Sequence, residues 1–264
     1  MREPLQAGKV ELKRGARAAA TRLGKEEQAE RLLGRFREAR LTFDPHQRRE
    51  LRDDHATRVI LSSVLRSDSN AIDVGANEGA VLESIVQLAP RGRHIAFEPI
   101  PELCERLATR FPTVDVRCAA ASDVPGRNEF SHVVGAPAYS GLRERGSLPA
   151  DAGEVRRISV LVERIDDVAE REYVPTLLKV DVEGAELGVL RGAAEMLERH
   201  RPFVLFEHGA GGADIYGTHP NDVFDLLKTV GLRIFDLDGD GPYSRERFEE
   251  TFAEPIWNFL AAPA

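Results

Sequence analysis

Five short apolar runs, each ending in polar or acidic residues, limit the fold more than any other feature of this chain. They are "NAIDVG", "HIAFEP", "TVDVRCAAASD", "TLLKVDVEG" and "PFVLFEHG". The first passes through a Gly loop into the helical "AVLESIVQLA", the second leads into "IPELCERLATRF", and the fourth into "AELGVLRGAAEML". Strands that alternate with helices in this way predict a parallel sheet covered on both faces. No sequence period repeats, so a solenoid is excluded. "THPNDVFDLLKTVG" reads as a helix capped near Thr218 and ended by Gly231. "LRIFDLDGDG" and "IWNFLAAP" read as two late strands, an antiparallel pair closing one edge of the sheet.

The bulk properties narrow the function classes. With 264 residues, 42% hydrophobic and 30% charged, the chain suits one large domain with a full core, alone or with an appendage. A net charge of −8 argues against nucleic acid as the main partner, because phosphate binding wants a basic face. No apolar run approaches a membrane span, and the first residues lack the apolar core of a signal peptide. Cys104 and Cys118 show no metal or redox spacing and read as ordinary thiols in a reduced compartment, so the expected location is the cytoplasm. Residues 1–53 form an N-terminal helical extension, with "EEQAERLLGRFREARL" as an amphipathic helix, and residues 54–264 form the main domain. Residues 129–157, rich in Gly, Pro and polar side chains, read as a surface excursion or lid.

In an open α/β sheet, ligands bind outside the carboxyl ends of the strands, where the strand order reverses. "AIDVGANEGA" suits such a place: Asp73 ends a strand, and Gly75 and Gly79 remove side chains where backbone approaches a ligand. Some two dozen residues on, Glu98 ends the next strand, where a carboxylate can accept both hydroxyls of a ribose. The loop has no G-x-G, so the nicotinamide fingerprint is missing, and Asp73 would repel a pyrophosphate. A Walker lysine is missing too. S-Adenosylmethionine, with an α-amino group, a sulfonium and no phosphate, fits an acidic strand end.

"IDVGANEG", "FEPIPE", "AASDVPG", "LLKVDVEGAELGVLRGA" and "RPFVLFEHG", in that order, resemble the FkbM family of S-adenosylmethionine-dependent methyltransferases over residues 54–263. The block of residues 179–186, Lys-x-Asp-x-Glu-Gly-x-Glu, is the most specific part of the resemblance. It implies a Rossmann-like class I methyltransferase fold, an α/β architecture whose seven-stranded, mostly parallel sheet has its last strand antiparallel. It implies methyl transfer to oxygen, on a sugar, a glycan or a natural-product small molecule. Asp73, Gly75, Asn77 and Gly79 then fall in the cofactor loop, Glu98 on the ribose, and the adenine beside residues 118–123, with Asp123 in contact. The family usually reads "LDD" before its fourth strand. Here it is "RIDDV", which keeps the acid as Asp166.

The charged end of that fourth strand is where chemistry is expected. Period-two alternation puts Lys179, Asp181 and Glu183 on one face, with Val180 and Val182 on the other. A hydroxyl acceptor must be held in line and must lose its proton, which calls for a base or a metal. In a metal-free version, Asp181 orients cofactor or acceptor and His208 accepts the proton, with Glu183 beside them as a further catalytic candidate. In a second version, Asp181, Glu207 and His208 hold a divalent ion, as in the metal-dependent catechol-type methyltransferases this arrangement resembles. The metal-free version is preferred. The plain structural reading makes Lys179 an ion-pair partner of Asp181 and Glu183, and puts Glu186 and Arg191 on a solvated helix face. Tyr139 and Ser140 in the lid are weaker candidates for touching the acceptor, and His219 is a weaker second candidate for the base. Two other functions are carried forward: a non-catalytic S-adenosylmethionine-binding module acting through a partner, and a nicotinamide-dependent reductase. "DLDGDG" begins like a calcium loop, but Arg247 stands where the bidentate Glu is needed, so it reads as a turn.

Overall fold

The computed structural model describes residues 45–146, 148 and 152–264. The amphipathic helix expected within residues 26–41 lies outside the described residues. Residues His55–Ala264 form one compact unit. The first described helix, α1, spans Pro45–Val64. Then follow β1 (Asn70–Val74), α2 (Ala80–Leu88), β2 (His94–Phe97), α3 (Pro101–Arg110), β3 (Asp115–Arg117), β4 (Ala119–Ala121) and β5 (Gly126–Val133). After a 3-10 turn at Pro137–Tyr139 come β6 (Val155–Glu163), α4 (Ile165–Val168), β7 (Pro175–Val180), α5 (Glu186–Gly192), α6 (Ala194–His200) and β8 (Phe203–Glu207). The last elements are α7 (Ala213–Tyr216), α8 (Pro220–Thr229), β9 (Leu232–Asp236), α9 (Arg245–Thr251) and β10 (Asn258–Pro263).

Seven strands form the main sheet in the order β3-β2-β1-β7-β8-β10-β9. Pairings from β3 through to β8 are parallel, and β10 runs antiparallel to both β8 and β9. The late strands are thus the expected antiparallel pair, with β10 inserted inside the sheet and β9 at the edge. The order reverses between β1 and β7, which fixes the switch point.

Alternation along the central strands divides the core. Ile72, Val74, Leu178, Val180, Val204 and Phe206 share one packed cluster with Leu190, Leu227 and Phe248. Ala71, Leu177 and Leu205 point the other way, into a cluster with Leu61 and Ile85. Apolar residues on both faces of these strands are the mark of a sheet covered on both sides. Helix α3 starts with Pro101 at its first position, where a missing N–H costs nothing, and buries Leu103, Cys104 and Leu107 on one stripe.

Two expectations are corrected here. The run "TVDVRCAAASD" is not one strand: it breaks at Cys118, with β3 in the main sheet and β4 in a second sheet of order β4-β6-β5. The two ends of the presumed lid, residues 129–133 and 155–157, are therefore strand, since β5 and β6 pair antiparallel over eight residues from Gly126 to Val133. Phe130, Val160 and Val162 pack there on Ile100, Leu103 and Ala120. Secondly, Cys104 and Cys118 are disulfide-bonded, with Cα atoms 5.4 Å apart. Helix α3 runs back alongside β3 and so brings together two cysteines whose sequence spacing carries no signal. That pairing removes the thiol argument for a reducing compartment. Among the described residues, no helix is long and apolar enough to cross a membrane.

Candidate functional site

The strand register sets a row of charges across the carboxyl ends. Asp73 on β1 is directly opposite Lys179 on β7, and Lys179 is opposite Leu205 on β8. Period two then carries Asp181 and Glu207 onto the same face, just beyond Lys179 and Leu205. Asp73 is fully buried, and its carboxylate lies 3.3 Å from the Lys179 ammonium, which is 3.4 Å from Asp181. Lys179 also donates to the Gly75 carbonyl at 2.8 Å. Burial alone would lower the Lys179 pKa, but Asp73 and Asp181 outweigh it and hold the ammonium charged, above its usual range. Burial raises the Asp73 carboxyl and Lys179 pulls it back. Lys179 is thus the hub of the strand ends. Its expected pairing with Asp181 is present; Glu183 pairs instead with Arg145.

The loop after β1 explains its own glycines. Gly75 has φ +75°, and a Cβ there would run into the Asp181 carbonyl. Gly79 has φ +82° and caps α2, and a Cβ there would sit 2.6 Å from Leu107 and 2.9 Å from Phe111. Both positions are left-handed and crowded by the protein itself, so glycine is required with or without a ligand. Asn77 is left-handed at φ 49°, a conformation Asn tolerates better than most residues. Its backbone N–H donates to Glu98 at 2.8 Å, and its side-chain oxygen is buried without a hydrogen-bond partner.

Above this loop a cavity opens, of about 690 Å³ counting its mouth. Gly75, Asn77 and Glu98 line one side; Asp181, Val182 and Glu183 line another; and Phe97, Ile100, Leu103, Ala120 and Phe130 give it an apolar wall. Glu98 is 4% exposed and accepts the N–H groups of Asn77 and Ile100, one on each oxygen. Those bonds fix the carboxylate plane and leave each oxygen with further acceptor capacity. Burial raises the Glu98 pKa, against those two N–H groups.

On the opposite side the carboxylates crowd. Glu183 has φ 60°, uncommon for a residue with a Cβ, and pairs with Arg145 from the segment after the 3-10 turn. Arg145 also lies over the Tyr139 ring, 5.3 Å from its centroid. Burial first, and Asp181 second, push the Glu183 pKa up to about 8, although Arg145 opposes them. Glu207 is raised well above its usual value by burial and by Asp181, Glu183 and Glu186. Glu186 is 1% exposed, which corrects its assignment to a solvated face. It accepts the N–H groups of Val182 and Gly184 and so caps the turn that leads into α5, and burial brings its pKa to about 7.

Several expected residues stand apart from this cavity. Neither Asp73 nor Gly79 lines it. Asp123 lines a neighbouring cavity. His208 continues the alternation of Phe206 and turns to the aromatic side, stacked on Phe248 at 5.8 Å and tilted against Phe252 at 5.5 Å. Both of its ring nitrogens lack hydrogen-bond partners, and burial lowers its pKa to about 4, so the ring is neutral. The ligand set of Asp181, Glu207 and His208 is therefore not assembled: strand alternation separates His208 from the other two, and no three His, Cys, Asp or Glu among the described residues converge as metal ligands. His219 caps α8, accepting the Asn221 N–H at its ring while Asp222 accepts the His219 N–H. In "DLDGDG", Asp236 accepts the N–H groups of Asp238 and Asp240, as a turn does. Sequence reasoning missed Arg145, whose only signal is a cation in a loop that faces an acidic strand end.

Fold and site together define a class I methyltransferase architecture: a seven-stranded sheet with one reversed strand and a cavity at the β1–β7 switch point. The model of the methyltransferase FkbM domain matches residues 73–234, and the chain belongs to that family. Among curated relatives, the AMB antimetabolite synthetase AmbE of Pseudomonas aeruginosa is 27% identical over 75% of this chain, which spans 12% of that protein. The methyltransferase sdnD of Sordaria araneosa is 30% identical over 50% of this chain and 62% of its own length. The 2-O-methyltransferase NoeI of Sinorhizobium fredii is 28% identical over 66% of this chain and 77% of its own length. The crystal structure of a methyltransferase FkbM from Methylobacillus flagellatus superposes with a TM-score of 0.46 at 19% identity, covering 76% of this chain and 45% of that one.

Proposed function

We propose that this protein is an S-adenosylmethionine-dependent O-methyltransferase that acts on a hydroxyl of a sugar, a glycan or a natural-product small molecule. The observation that carries the reading is the cavity between Glu98 and the Asp181–Glu183 edge, apolar along one wall and charged at both ends. Its residues suit an adenosyl group: Glu98 keeps acceptor capacity for ribose hydroxyls, Asn77 offers a buried unpartnered oxygen, and Ile100, Leu103 and Ala120 present a surface for a flat base. When bound, the cofactor supplies a methyl group on a cationic sulfonium. The protein's own part is to hold that cation beside carboxylates and to exclude water. Asp181 orients the acceptor hydroxyl, and Glu183, whose pKa lies near 8, takes its proton once ionised. Arg145 pairs with Glu183 and lies over the Tyr139 ring. His208, ringed by Phe248 and Phe252, has no part in this scheme. The similarity to NoeI, a 2-O-methyltransferase, supports oxygen as the acceptor atom.

Calorimetric titration with S-adenosylhomocysteine, followed by a methyl-release assay against a panel of hydroxylated sugars, tests the proposal. Binding with turnover of a hydroxyl acceptor is expected. Binding without turnover of any acceptor would make the chain a non-catalytic module, and tight NADPH binding without S-adenosylhomocysteine binding would make it a reductase.

A further inference from the structure

A second cavity adjoins the first, with Leu142 and Ala185 in the walls of both. It measures about 1020 Å³ counting its open mouth, and three arginines from separate elements line it: Arg127 on β5, Arg191 on α5, and Arg143 after the 3-10 turn. Several exposed arginines of this acidic chain find carboxylates, as in Arg93–Glu170, Arg110–Glu83, Arg156–Glu154 and Arg245–Asp225. These three do not. Among the described residues neither Arg127 nor Arg191 has a carboxylate within ion-pair distance, and Arg143 meets only neutral groups, donating to the Ile215 carbonyl at 2.7 Å and lying over the Tyr216 ring. The one acidic side chain in the lining is Asp123, which already accepts the Ser122 hydroxyl at 3.2 Å.

Three guanidinium groups against one carboxylate leave a local excess of positive charge, held around a concavity in a chain of net charge −8. Planar guanidinium forks match the oxygens of a phosphate group two at a time, and a dianionic or more highly charged phosphate would balance the excess. We propose that this cavity is a subsite for a phosphate or diphosphate group carried by the acceptor, so that the hydroxyl to be methylated belongs to a phosphorylated small molecule. The assignment rests on the methyl-transfer reading, since an acceptor is needed to bring the phosphate.

The test uses the whole chain and inorganic pyrophosphate as probe, titrated at fixed ionic strength with and without S-adenosylhomocysteine. Wild type should bind pyrophosphate. Arg127→Gln and Arg191→Gln should each weaken that binding by about tenfold or more. Both side chains are exposed, so melting temperature and S-adenosylhomocysteine affinity should stay at wild-type values. No pyrophosphate binding by wild type, or equal binding by wild type and both variants, overturns the subsite even where S-adenosylhomocysteine binds. Pyrophosphate bound through these arginines by a chain with no affinity for S-adenosylhomocysteine overturns the methyl-transfer reading instead, and with it the assignment of the phosphate to an acceptor.

Discussion

Two charged regions sit at the same end of the sheet and do opposite things. Away from the cavity lining, the buried Asp73 carboxylate pairs with Lys179, which donates to the Gly75 carbonyl, while neither Asp73 oxygen has a hydrogen-bond partner. Around the cavity rim, Glu98, Asp181 and Glu183 border open space, and Asn77 holds an oxygen without a partner. The two groups come from the same sequence blocks, residue by residue. A residue's place in a motif therefore does not say whether it touches the ligand or supports the residue that does.

The largest effect expected from this contrast is on stability. Replacing Lys179 by Met strands the buried Asp73 carboxylate and should cost about 3–5 kcal/mol in urea unfolding, whereas Asp73→Leu with Lys179→Met should recover much of that loss. If the single and double variants unfolded alike, the buried pair would not be the support described. Next comes the rim: Glu98→Ala should weaken S-adenosylhomocysteine binding by about 10- to 100-fold, the value of one or two hydrogen bonds to a charged group, with a far smaller change in stability. A fall in melting temperature as large as that of Lys179→Met would move Glu98 from the rim to the support.

The pH responses of the two regions sharpen the comparison further. Glu183 and Glu186 have folded-state pKa values of about 8 and about 7, above the 4.5 of a free Glu. A raised folded-state pKa means that the folded form holds protons the unfolded form has lost. The stability tied to these protons is complete below about pH 4.5 and is lost as pH rises through 7 to 8. Melting temperature should therefore decline over that window, and Glu186→Gln should flatten the decline. Turnover should run the other way, rising with pH through a midpoint of about 8 as the Glu183 carboxyl ionises, and Glu183→Gln should abolish that limb. The smallest effect belongs to His208→Phe, which fills an aromatic site whose ring nitrogens bond to nothing. It should change stability by less than about 1.5 kcal/mol and leave turnover intact. A large loss of turnover would restore His208 as the base.

Much of the frame was legible in the sequence because it depends on local pattern. The apolar runs around Ile72, Ile95, Leu178 and Val204 became β1, β2, β7 and β8, and the late runs became the antiparallel pair. Of the cavity-lining residues, Gly75, Glu98, Asp181 and Glu183 were named from the strand ends and the glycine loop, and Asn77 from the family resemblance. What escaped depends on contacts distant in sequence. The crowding that demands glycine at position 75 comes from the Asp181 carbonyl, more than a hundred residues away. The burial of Glu186 depends on the turn of Val182 and Gly184 folding onto it, and the Cys104–Cys118 bond on the return of α3 beside β3. The strand β6 was hidden by a Gly- and Pro-rich approach, although "ISVLVE" does alternate. His208 was named as a base from its place at an acidic strand end, whereas its neighbours in space are Phe248 and Phe252.

The most direct measurement is a crystal structure of the protein with S-adenosylhomocysteine. The account predicts the ribose hydroxyls on Glu98, the sulfur turned toward Asp181 and Glu183, and the Asp73–Lys179 pair undisturbed. A ligand bound with its ribose away from Glu98, or in direct contact with Asp73, would contradict it.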